Sequence, residues 1–276
     1  MKIGVLHPGE MGSSVGDALI QANHEVFWAS VSRSESTRAR ASGWQEKLEL
    51  KELVEEVGAI VSVCPPSEAV AVANAVAGFN FEGIYLDGNA IAPQSALEIA
   101  GLFGEHYVDG GIIGPPARQL GSTRLYMSGV KAELACSWFH GSLLEARVMS
   151  TDPGVEASAL KMAYAGYTKG SSALLMLINT FAEDLGVRES LQEEWALSQP
   201  GLVSRSDKAA SATAAKAWRF VGEMEEIAKT MSASDLPSGF HQASAELYQL
   251  MADLKYESNA DLECVLQRIL QNRTKA

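Results

Sequence analysis

An α/β fold built on a doubly wound, mostly parallel sheet and followed by an all-α region is predicted by three observations. Short β-branched or apolar runs alternate with helical stretches over the first half of the chain. The first of those runs breaks into a Pro/Gly loop that leads straight into a helix. No β-rich stretch occurs beyond about residue 150. Strands are expected over residues 3–6, 25–29, 59–64, 83–87 and 106–109, with helices over 50–57, 69–77 and 93–102. Spacings of roughly 20–30 residues per strand suit βαβ units and therefore a parallel sheet. Ligands in such a sheet lie at the carboxyl ends of the strands. Those ends read Pro65-Pro66, Asp87-Gly88-Asn89 and Asp109-Gly110-Gly111, all turn chemistry.

The opening segment carries the most information. Ile3 to Leu6 is followed by His7-Pro8-Gly9-Glu10-Met11-Gly12 and then by small and apolar residues at helical spacing. Strand, glycine-rich turn and helix together set backbone N–H groups and a helix N-terminus against a phosphate. This is the dinucleotide-binding (Rossmann) fingerprint less one glycine, because His7 stands where the first Gly of G-x-G-x-x-G would be. Pro8 is expected to push His7 toward an extended conformation, so that the turn differs locally from the glycine version. Gly9, Glu10, Met11 and Gly12 are the expected cofactor loop. An NAD-specific site wants Asp or Glu about 20 residues further on. Residues 29–38 instead offer hydroxyls and arginines with the single Glu35. Arg33 with Ser32 or Ser34 could grip a 2′-phosphate, so NADP is expected rather than NAD.

The second half has a different pattern. After Pro153-Gly154 a single long helix is expected over 155–185, closed by Gly186, with amphipathic helices over 217–229 and 239–254. The domains are therefore expected to be residues 1–152, binding the dinucleotide, and 153–276, all helical. At 100° per residue Lys161, Thr168 and Ser172 fall within about 40° of one another, with Tyr164 on the flank. A lysine on an apolar helix ordinarily reaches for solvent. In a crevice it would supply an ammonium able to move a proton to or from an oxygen.

Composition bounds the partners. The net charge of −12 over 276 residues argues against nucleic acid or an anionic membrane surface. Residues 172–181, the longest apolar stretch, are too few to span a bilayer. The N-terminus resembles no signal peptide, since a strand begins at residue 2 or 3. Cys64, Cys136 and Cys264 are odd in number and form no C-x-x-C. A disulfide framework and a metal site are thus not expected, and a reducing, cytoplasmic setting is. His241 either reaches the site from the helical region or is structural, as a lone histidine more often is.

The chain resembles the β-hydroxyacid dehydrogenase superfamily, which includes 3-hydroxyisobutyrate and 6-phosphogluconate dehydrogenases, and within it a branch with a 6-phosphogluconate-dehydrogenase-like C-terminal domain. The segment from Gly4 to Gly12 sits on the family's G-F-I-G-L-G-x-M-G, and Asp87 to Pro93 resembles its D-x-S-T-x-x-P. The segment from Asp109 to Pro115 lies on its D-A-P-V-S-G-G substrate loop, and Gly154 with Lys161 lies on the start of its long helix. The resemblance implies hydride transfer between a nicotinamide and a carbonyl or hydroxyl carbon, with Lys161 as proton donor and acceptor. It puts Cys64, Pro65 and Asn89 beside the nicotinamide, and Gly111, Ile112, Ile113, Tyr164 and Thr168 toward a small-molecule substrate. Two departures stand out: the family's loop serine is Ile113, and its Asn-Asn pair after the lysine is Tyr164-Ala165. Imine reductases share Asp109-Gly110-Gly111-Ile112 but typically replace the lysine, so Lys161 favours oxygen chemistry. The alternatives are an imine reductase-like enzyme and a non-catalytic NADP(H)-binding sensor. A homodimer whose partner helices complete the site is expected.

Overall fold

The computed structural model describes residues 1–257 and 259–273. It divides into two compact units, Met1–Met162 and Ala163–Ala276.

The first unit is a three-layer α/β sandwich of the Rossmann type. Its elements run β1 (Lys2–Leu6), α1 (Glu10–Gln21), β2 (Glu25–Ala29), α2 (Glu35–Arg40), β3 (Gln45–Lys47) and α3 (Leu50–Glu56). They continue with β4 (Ala59–Ser62), α4 (Ala69–Ala77), β5 (Ile84–Asp87), α5 (Pro93–Phe103) and β6 (Tyr107–Ile113). Then come β7 (Arg124–Ser128), α6 (Ala132–Ser137), β8 (Glu145–Ser150) and the start of α7 (Glu156–Asp184). The strands form one sheet in the order β3-β2-β1-β4-β5-β6-β7-β8. Neighbours from β3 through β6 are parallel, while β6 and β7 are antiparallel. The chain order reverses between β1 and β4, which makes the carboxyl ends of those strands the switch point where a ligand crevice opens.

Alternate residues of each strand feed two apolar layers. Ile3, Val5, Val26, Trp28 and Val61 pack with Val15 and Leu19 of α1 on one face. Leu6, Phe27, Ile60 and Tyr85 pack with helices α3 to α5 on the other. Gly16 brings α1 over Trp44, since a Cβ there would lie 2.2 Å from the indole ring.

Three strand expectations change. The strand that begins at Tyr107 runs on through Gly110-Gly111 to Ile113 instead of turning there. The strand from Ala59 stops at Ser62, and β3, β7 and β8 are additional.

The second unit is helical: the remainder of α7, then α8 (Arg188–Ser198), α9 (Leu202–Thr213), α10 (Ala217–Ala233), α11 (Gly239–Leu250) and α12 (Leu262–Asn272). Gly186 ends α7 as expected, at φ +69°. Its N–H donates to the carbonyl of Glu183 and that of Val187 to the carbonyl of Ala182, a Schellman closure. No helix among the described residues is long and apolar enough to cross a membrane.

Candidate active site

The glycine loop is tightly built. Gly9 caps α1, and its N–H donates to the His7 carbonyl at 2.7 Å. A Cβ on Gly12 would lie 2.4 Å from that same carbonyl, so only glycine lets the first turn of α1 close on the loop. His7 is not extended: its φ is +63°, on the left-handed side. The closure around its carbonyl outweighs the preference that Pro8 imposes, at a cost of roughly 1–2 kcal/mol for a non-glycine residue. The turn thus carries a left-handed residue where the sequence predicts an extended one. Glu10 is exposed at the helix start, whereas Met11 packs partly into the core.

Next to this loop lies a cleft of about 230 Å³ between the ends of β1 and β2 and the side of α4. Leu6, Val31, Leu50, Ala71, Val72 and Ala75 give it apolar walls. Its polar lining comes from His7 and Arg33, with no carboxylate. A tight turn after β2 delivers Arg33: its N–H donates to the Ser30 carbonyl at 3.2 Å, and Ser32 takes φ +59°. Ser34 caps α2, its hydroxyl accepting from the Thr37 N–H. Arg38 is engaged elsewhere, with Glu46 at 2.8 Å and the Ser30 carbonyl at 2.9 Å. Two buried nitrogens in the cleft lack partners, His7 Nδ1 and Arg33 Nε. Burial, with the Arg33 guanidinium adding to it, pushes the His7 imidazole down to about 4. Orphaned polar atoms in an apolar cleft beside a helix N-terminus fit an adenosine carrying phosphate, since such groups ordinarily have partners.

Across the switch point, Asn89 organises the loop after β4. Its Oδ1 accepts from the Cys64 N–H at 2.5 Å, its Nδ2 donates to Ser62 Oγ at 3.2 Å, and its own N–H donates to Asp87 Oδ1 at 2.8 Å. Asn89 thus positions Cys64 and Pro65. Burial pushes the Cys64 thiol up to about 12, which excludes it as a nucleophile at neutral pH.

Lys161 is held at the end of β6, its Nζ donating to the Ile112 carbonyl at 2.8 Å. Three residues bring α7 there. Gly111 allows the approach, because a Cβ would lie 2.5 Å from the Ala157 carbonyl and 3.4 Å from Lys161 Cβ. Buried Asp109 accepts from the Ser158 N–H at 2.8 Å and from the Ser158 hydroxyl. Ser128 accepts from the Ala157 N–H at 3.2 Å. These contacts satisfy first-turn donors that the helix itself leaves unpaired. Asp109, Ser158 and Ser128 were not foreseen; the visible signal was a serine two residues into a helix and an aspartate before Gly-Gly. Ile113 is buried at the end of β6.

Tyr164 and Thr168 belong to the second unit. Tyr164 is exposed, and the Thr168 hydroxyl donates to the Tyr164 carbonyl at 3.0 Å. His241 sits buried there with Nε2 3.3 Å from the Gly166 carbonyl. No group of three or more His, Cys, Asp or Glu able to hold a metal occurs among the described residues.

Comparison with known proteins agrees with this geometry. Residues 2–135 match the NAD binding domain of 6-phosphogluconate dehydrogenase, and residues 182–251 match a domain of unknown function, DUF1932. An uncharacterized 28.5 kDa protein from Methanothermus fervidus is 31% identical over 197 residues, 70% of this chain and 75% of that protein. A conserved protein of unknown function, whose own structure is described as similar to 3-hydroxyacid dehydrogenases, superposes with a TM-score of 0.66. It is 25% identical, over 94% of this chain and 100% of that one. The 3-hydroxyisobutyrate dehydrogenase of Mycobacterium tuberculosis shares the fold, with a TM-score of 0.69 and 17% identity over 96% and 98% of the two chains. An imine reductase from Pseudomonas sp. shares it at 0.52 and 18%, over 97% and 99%. With a dinucleotide-binding first unit, a DUF1932 second unit and a lysine held where the sheet meets the long helix, the chain belongs to the β-hydroxyacid dehydrogenase-like superfamily.

Proposed function

We propose that the protein is an NADP-dependent oxidoreductase acting at a carbonyl or hydroxyl carbon, with Lys161 as proton donor and acceptor. The observation that carries this reading is the Lys161 ammonium fixed on the Ile112 carbonyl at the carboxyl edge of the sheet. Dehydrogenases and imine reductases of the same fold support an oxidoreductase.

Arg33, Ser32, Ser34 and the loop from Gly9 to Gly12 would hold the cofactor's adenosine and phosphates, and Cys64, Pro65 and Asn89 would border its nicotinamide. When bound, the nicotinamide supplies the hydride chemistry. The chain's own work is with the proton. During reduction Lys161 Nζ gives a proton to the developing alkoxide, and during oxidation it accepts the hydroxyl proton. The Ile112 carbonyl keeps the amine directed, and Asp109, through Ser158, fixes the helix that carries it. The apolar surroundings of Ile112 and Ile113 suit a substrate less polar than a small hydroxyacid. Asp109-Gly110-Gly111-Ile112, shared with imine reductases, gives a second reading in which the acceptor is a C=N bond.

Paired calorimetric titrations with NADPH and NADH test the cofactor assignment, with tight NADPH and weak NADH binding expected. A panel of ketones, aldehydes and cyclic imines then tests the reaction. Turnover of carbonyls lost in Lys161→Ala supports oxygen chemistry. Turnover of imines alone supports the second reading, and cofactor binding without any turnover supports a sensor.

A further inference from the structure

In the superfamily's loop the position of His7 is a glycine, which offers a phosphate only its backbone. Here an imidazole occupies it, held in a conformation that favours glycine, φ +63°. The side chain lines the same cleft as Arg33, and each residue carries a buried nitrogen without a partner. The remaining walls are apolar. An unpaired polar atom in such a place is ordinarily unfavourable, and two on residues that line one cleft point to a common ligand group that satisfies both.

We propose that His7 recognises, together with Arg33, the 2′-phosphate of the cofactor, and that its imidazole takes up a proton when that phosphate binds. The proposal rests on the NADP reading and assigns part of the selectivity to the residue that replaces glycine. The charge balance supports it. Arg33 stays cationic at any physiological pH; burial first, and this neighbouring cation second, disfavour the charged imidazole, so His7 is neutral in the free protein. No carboxylate lines the cleft to offset this. The other titratable group at hand is the buried Cys64 thiol, which is near Arg33 and neutral. A 2′-phosphate brings about −1.5 to −2 charges at pH 7, which reverses the local field and favours the imidazolium. NADH brings no such charge to the cleft.

Calorimetric titrations at pH 7 in two buffers of different ionisation enthalpy measure both affinity and proton uptake, for the wild type, His7→Gly and His7→Asn. Glycine is at ease at positive φ and asparagine tolerates it, so both variants keep the loop. The wild type is expected to take up more protons with NADPH than with NADH. His7→Gly should lose about tenfold or more in NADPH affinity, as for a hydrogen bond to a charged group, keep its NADH affinity, and lose the extra uptake. His7→Asn should recover part of the affinity without the uptake. Wild-type affinity and uptake in both variants would overturn the role of His7 while leaving the NADP reading standing. Failure of the wild type to bind either dinucleotide would overturn both.

Discussion

Lys161 and Asp87 are the two residues whose surroundings make the sharpest demands. Lys161 donates to the Ile112 carbonyl at the end of β6, a contact separate from the Gly9–Gly12 loop. Lys161→Ala should therefore lower kcat by about 10²–10⁴, the usual worth of a positioned acid or base, with NADPH affinity by calorimetry unchanged. Loss of cofactor binding in that variant would refute the division of labour. Asp87 is fully buried with Oδ2 unpaired, and burial pushes its carboxyl from 3.8 up to about 7. A folded-state pKa raised in this way means that the native state keeps a proton which the unfolded chain has released. Stability therefore falls as pH rises from about 4 to about 7, by a few kcal/mol at most. Asp109, raised to about 6 by burial, adds to the same slope. Asp87→Asn should flatten the pH dependence of denaturant stability across that window and be the more stable protein at pH 8. Parallel stability curves for variant and wild type would show that the carboxyl is ionised in the fold.

Among the elements, the packing of α7 against β6 decides where the ammonium sits, and Gly111 decides that packing. Gly111→Ala would drive a methyl against the Ala157 carbonyl at 2.5 Å. The helix must shift, so a loss of about 1–3 kcal/mol of stability is expected, with turnover reduced and NADPH binding kept. An unchanged Tm would mean that the approach is looser than it looks. The same glycine explains a misreading. Gly-Gly after an aspartate signals a turn, yet here it marks two close approaches, Gly110 to the Asp87 carbonyl and Gly111 to α7, within a strand. Strands β1 and β2 were legible as short unbroken apolar runs ended by turn residues, and helix α4 and the long α7 as longer apolar stretches without Pro. Strand β3 was not: Gln45-Glu46-Lys47 is wholly polar and lies on the sheet edge. Strand β8 fails for a like reason, with half its residues exposed and none buried at the other edge. At the candidate site, Arg33 and Lys161 were visible in the sequence, Arg33 in a segment whose single carboxylate is Glu35 and Lys161 on an otherwise largely apolar helix. Asp109 and Ser158 were not, because their pairing joins positions 49 residues apart that only the fold brings together.

For the whole molecule, the change from an α/β first part to a helical second part was readable from where the strands stop, but the surface of the second unit was not. Along α7, Tyr167, Leu174 and Phe181 are exposed, at 69%, 44% and 59%, as is Leu185 just past its end at 59%, and Leu177 flanks them at 43%. At 100° per residue the first four lie within about 40°, a stripe about 27 Å long. A monomer rarely leaves so long an apolar strip to water, and helices carrying such strips pack most simply against copies of themselves across a two-fold axis. A homodimer through this face is the expected state, in keeping with the net charge of −12, which disfavours non-specific clustering. Light scattering coupled to size exclusion should give twice the 29.5 kDa chain mass. The double substitution Leu174→Glu and Phe181→Glu should give a folded monomer with NADPH binding intact, since both residues lie outside the first unit. A wild type that runs as a monomer at micromolar concentration would sink the interface, and a variant that stays dimeric would move it to another face.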